Sequence, residues 1–167
     1  AVFALVPDGP YTRRSPFNVR SIPQLFAVRE FRASALGYFG HMWELYTFWA
    51  FLPALLSLHG ELPVSLMAFV VIAAGAVGCV VGGLLTKRFG SARIARIQLA
   101  LSGACCLVLP IAFALPAWAF AAYVIFWGVV VVGDSPQLST LTARATPPEL
   151  VGTGLALVTS IGFGLTI

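Results

Sequence analysis

The chain has 167 residues, of which 59% are hydrophobic and only 10% charged, with a formal net charge of +4. A soluble domain carries roughly one-quarter charged residues, so a mean hydropathy of +0.94 excludes a water-soluble globule. Asp, Glu, Lys and Arg are absent from 62–86 and again from 97–133, stretches that hold one and nearly two membrane crossings at about 20 residues each. Because backbone groups in lipid must be satisfied internally, and these runs lack strand-like alternation, the expected fold class is all-α, a polytopic membrane helix bundle.

Taken in chain order, Ala1-Val2-Phe3-Ala4-Leu5-Val6 is apolar and is followed at once by Pro7-Asp8-Gly9-Pro10. No basic leader precedes it, so the tail of an earlier transmembrane helix is expected rather than a signal peptide, and the chain reads as a piece of a longer protein. Residues 1–32 then form the end of that helix and a basic loop with Arg13, Arg14, Arg20, Arg29 and Arg32, holding a short surface helix near 24–31. The transmembrane bundle is expected over 33–167, with spans at about 33–58, 63–85, 94–115, 117–141 and a truncated 151–167. Pro63 suits the start of the second span, Pro110 is expected to break the third, and Pro116 marks the next turn. Counting crossings, the loops at 8–32, 86–96 and 144–149 share one side, and all ten basic residues fall in them. The positive-inside rule assigns that side to the cytoplasm, so the net charge reflects membrane orientation and no nucleic-acid partner is needed.

A charge at the bilayer centre costs at least about 2.5–3.5 kcal/mol, so intramembrane ionisable residues are candidates for function. His41 and Glu44 lie near the middle of the first full span, three residues apart on one helix face, where the imidazole can meet the carboxylate or both can face one cavity. Asp134 lies in the fourth span with Gln137 one turn on, and Pro136 loosens the backbone between them. With Tyr38, these residues make the candidate substrate-binding or coupling set: Tyr38, His41, Glu44, Asp134 and Gln137. The second and third full spans carry no intramembrane ionisable residue. The first and fourth are therefore expected to line an aqueous path, while the others pack against lipid or neighbours. A proton is a candidate partner, because His41 and Glu44 can exchange charge within a cavity.

Ala74, Gly78 and Gly82, with Gly75 and Gly83 beside them, strip one face of the second span for close helix packing. No phosphate-binding Gly-x-x-x-x-Gly-Lys occurs, and Cys79, Cys105 and Cys106 lack Cys-x-x-Cys spacing. With His41 and His59 the only histidines, no zinc set is expected, and no serine is identified beside a positioned base, so neither a cofactor nor an enzyme is expected.

Gly83-Leu84-Leu85-Thr86-Lys87-Arg88-Phe89-Gly90 resembles the loop motif Gly-x-Leu-x-Asp-Arg-x-Gly-Arg-Arg of the major facilitator superfamily. Gly83, Leu85, Arg88 and Gly90 match, whereas Lys87 occupies the acidic position and Ser91-Ala92 the basic pair. Gly37 through Glu44, and Asp134 through Gln137 on to 147–153, are also similar to bacterial members. The resemblance covers nearly the whole chain and implies the second half of that fold, helices seven to eleven, following a central cytoplasmic loop. It further implies a secondary active transporter that carries a small solute across a cell membrane, the bacterial cytoplasmic membrane, by alternating access against a missing N-terminal half. Helices seven and ten line the cavity in this family, and they are the spans that carry the polar set. The resemblance assigns Gly83, Arg88 and Gly90 to a conformational loop. The alternative is a non-transporting membrane sensor or assembly subunit, whose intramembrane polar residues only hold helices together.

Overall fold

A computed structural model describes residues 19–167, and the expected helix tail, Arg13 and Arg14 lie outside the described residues. Its α-helices are α1 (Ile22–Ala27), α2 (Arg29–His59), α3 (Val64–Phe89), α4 (Ser91–Ala112), α5 (Ala117–Gly133), α6 (Ser135–Ala145) and α7 (Val151–Gly164). No strand occurs among the described residues. Short 3-10 turns at Val19–Ser21 and Pro148–Leu150 precede α1 and α7.

Three helical stretches, Val64–Phe89, Ser91–Ala112 and Ala117–Ala145, are long and apolar enough to cross a membrane. The 31 residues of α2 extend about 46 Å, beyond the roughly 30 Å of hydrocarbon, so its ends reach the interfaces where Arg29, Arg32 and His59 sit. Large apolar side chains such as Trp43, Phe51, Phe69, Leu107 and Trp118 point outward and exposed, the inverse of a soluble core. Lipid is the solvent that suits this surface.

Short turns reverse the chain between helices. Gly60 ends α2 at φ 81°, ψ −14°, a left-handed cap whose N–H bonds the Leu56 carbonyl. Gly90, at φ 80° and ψ 148°, joins α3 to α4 in a region open essentially to glycine. At one end of the bundle His59 stacks on Phe120 and its Nε2 lies 3.1 Å from the Leu115 carbonyl. At the other end, Phe31, Thr146 and Gly154 meet. Pro110 does not break α4, which continues to Ala112; standing at the end of the helix, it disrupts little of the bonding ladder.

Helices α3 and α5 pack most intimately, backbone against backbone. A Cβ on Gly78 would collide with the Val129 carbonyl, and one on Gly128 with the Val71 carbonyl. The buried stripe is Val71, Gly75, Gly78 and Gly82, so Gly75 rather than Ala74 completes the contact face. Without side chains in the way, dispersion and close approach hold the pair in a solvent that offers no hydrophobic drive. One core cluster centres on Leu52, Val71, Phe120 and Trp127; a second, toward the basic end, contains Phe31, Ala35, Leu138 and Val158.

Candidate functional site

The fourth expected span is two helices, α5 and α6, divided at Asp134. Pro136 lacks an N–H for the Val132 carbonyl, and the break is satisfied from the side. The Cys79 thiol donates to the Val132 carbonyl at 3.6 Å, and Gln137 Nε2 donates to the Gly133 carbonyl at 3.0 Å. Gly82 leaves room for that amide, since a Cβ there would stand 2.6 Å from Gln137 Nε2. Gln137 is thus buried against α3, on the packing seam rather than beside His41.

Asp134 turns the other way. Its Oδ1 lies 2.8 Å from His41 Nδ1, with both side chains enclosed. The two atoms are close but not aligned as a hydrogen bond, so the contact is chiefly electrostatic. His41 Nε2 lies 2.6 Å from the Ser135 hydroxyl, with donor and acceptor set by the tautomer. Tyr38, one turn earlier on α2, keeps its ring 6.1 Å from the imidazole and packs on Gly162 of α7. The first polar centre therefore joins α2 to the α5–α6 break.

Glu44 belongs to a second centre and does not meet His41. A spacing of three turns a side chain by about 60° around the helix. In α2, which is packed on several sides, that rotation aims His41 at the α5–α6 break and Glu44 at α4. The Ser102 hydroxyl donates to Glu44 Oε1 at 2.5 Å, and Trp127 Nε1 of α5 donates to the Ser102 oxygen at 3.1 Å. Cys106 Sγ stands 3.9 Å from the same carboxylate oxygen. α4 packs against its neighbours through polar as well as apolar side chains: it supplies the buried Ser102 hydroxyl and Gln98, whose Nε2 reaches the Gly78 carbonyl at 3.5 Å. Gln98 and Ser102, four apart in the uncharged stretch of α4 from Ile97 to Ala112, were the available signal.

Ser135 is the residue that sequence reasoning missed, hidden because its base lies 94 positions away. Asp134, His41 and Ser135 have the connectivity of a hydrolase triad. The imidazole, however, has no exposed surface through which a substrate could approach it. The enclosed histidine thus links a carboxylate and a hydroxyl at the α5–α6 break to α2.

Of the loop residues, Gly83 is half-buried with open space where a Cβ would go, while Arg88 is exposed with its guanidinium 5.3 Å from the Phe89 ring centre. Gly90 supplies the turn described above. No carboxylate pairs with Arg88 among the described residues.

Outward hydrophobicity, helix length and a buried polar centre at a helix break define a polytopic membrane protein. The family model described as Major Facilitator Superfamily matches residues 1–167, and the chain belongs to that family of membrane transporters. No curated protein and no solved structure matches it.

Proposed function

We propose that this chain forms one bundle of a secondary active transporter that moves a small solute by alternating access, coupled to protons through His41 and Asp134. The supporting observation is the enclosed His41–Asp134 contact at the α5–α6 break. A helix break of this kind is a place where one segment can move against another. A proton entering this pair changes its net charge, and the cost of a buried net charge favours one arrangement of the break over the other. Glu44, tied to Ser102, acts as the second polar group of the pathway, and Tyr38 as an aromatic wall. The bundle works against a second bundle, its N-terminal counterpart, in the cytoplasmic membrane, with the arginine-bearing end facing inward.

The test is uptake into proteoliposomes holding the full transporter, over a panel of anions, sugars and cationic drugs, with and without an imposed pH gradient. Asp134→Asn should abolish the gradient-driven component while Glu44→Gln alters substrate affinity. Gradient-driven uptake by Asp134→Asn equal to the parent, with the same pH profile, would sink the coupling assignment.

A further inference from the structure

We propose that the groove between α3 and α4 is a binding site for an anionic phospholipid, with its phosphate at Arg88 and Arg93 and an acyl chain lying on the glycine-floored face.

Phe89, the last residue of α3, has two guanidinium groups beside its ring, Arg88 at 5.3 Å and Arg93 at 5.8 Å from the centroid. Neither arginine pairs with a carboxylate among the described residues. Both guanidinium groups lie against the one ring, and an anion bound at this end of the groove offsets their like charges.

The chemistry behind this mouth is apolar. Phe89 and Arg93 stand at one end of a groove of about 400 Å³, whose walls include Leu85, Ile97 and Leu101. Gly78 and Gly82 lie in its floor, which Val129 and Val130 of α5 and the Gln98 amide close. From Arg93 to Leu101 the helix rises about 12 Å, and from Phe89 back to Gly78 about 16 Å, close to half the hydrocarbon thickness. The groove thus begins at the interface on the arginine-bearing end and stops near the midplane, the depth of one leaflet. A free phosphate would use the mouth and leave the groove empty. A neutral lipid would use the groove and leave the cations unmatched. An anionic phospholipid suits both, and basic pockets between transmembrane helices are a known mode of headgroup capture.

The experiment compares phosphatidylglycerol with phosphatidylcholine of identical chains, titrated onto the full transporter in detergent micelles and read as bound lipid by native mass spectrometry. Two cations, each worth on the order of a fivefold preference near an anionic headgroup, predict a 20- to 30-fold preference for phosphatidylglycerol. The Arg88→Gln/Arg93→Gln double variant should bring that ratio to within about threefold, with an unchanged thermal midpoint in phosphatidylcholine. Ile97→Trp, which fills the groove but keeps the charges, should weaken phosphatidylglycerol binding about tenfold or more. Equal binding of the two lipids, or a preference that survives in the double variant, would overturn the proposal. So would competition by glycerol phosphate at millimolar concentration, which would make the mouth a free-phosphate site, or full binding by Ile97→Trp, which would place the chain elsewhere.

Discussion

Replacing Gly78 by alanine adds one methyl group where the structure leaves no space for it. The new Cβ would overlap the Val129 carbonyl oxygen, a backbone atom that cannot rotate aside. Restoring ordinary contact requires α3 and α5 to separate by about 1 Å, and a gap of about 0.5–1 Å forfeits roughly a quarter to a half of each contact's attraction. Gly75, Gly82 and Gly128 share this interface, so the loss spreads along it. Overpacking usually costs about 1–3 kcal/mol, and a rigid backbone obstacle puts Gly78→Ala near 3 kcal/mol or above. For a chain of this size that corresponds to a thermal midpoint lower by roughly 6–12 °C, read by tryptophan fluorescence or scanning fluorimetry in a fixed detergent. Gly83→Ala is the internal control: its Cβ meets nothing within 4 Å, and alanine is the better helix former by about 1 kcal/mol. Equal midpoints for the two variants would refute the reasoning that backbone contact holds α3 to α5.

His41→Leu and Asp134→Leu should each cost about 3–5 kcal/mol by stranding a buried partner, while the double variant costs less than their sum by at least about 1 kcal/mol; a thermal double-mutant cycle measures the coupling. Ser102→Ala leaves both the Glu44 carboxylate and the Trp127 N–H without their partner, and should destabilise by about 2–3 kcal/mol, against less than about 0.5 kcal/mol for Cys106→Ala. Gly90→Ala forces a side chain into φ 80°, ψ 148° and should cost about 1–3 kcal/mol, seen as a lowered midpoint.

Membrane helices were legible because length and hydropathy report directly on the solvent that a chain can tolerate, and Leu62 through Thr86 carries no charge to contradict it. Helix packing by small residues was also legible, although the contact face needed Gly75 in place of Ala74, a one-residue choice that depends on where α5 crosses. The pairing of polar residues was not legible. Sequence spacing says that His41 and Glu44 share a broad face, but the neighbours on either side decide where each points, and those neighbours are Asp134 and Ser102, roughly 90 and 60 positions away. For the same reason the partners of Ser102 and Gln98, which lie on α2, α5 and α3, cannot be read from the sequence of α4. Pro136 was a readable sign of disturbed backbone, whereas its consequence, two carbonyls capped by Cys79 and Gln137, required the third dimension.

The central proposal is that this bundle opens its polar centre alternately to the two sides of the membrane, and cysteine accessibility tests it most directly. In a transporter whose Cys79, Cys105 and Cys106 are replaced by serine, single cysteines at Tyr38 and Glu44 are exposed to a membrane-impermeant thiol reagent in right-side-out and inside-out vesicles. The account predicts labelling of each position from both sides, in proportions that shift when a pH gradient is imposed. Labelling from one side only, whatever the gradient, would contradict it.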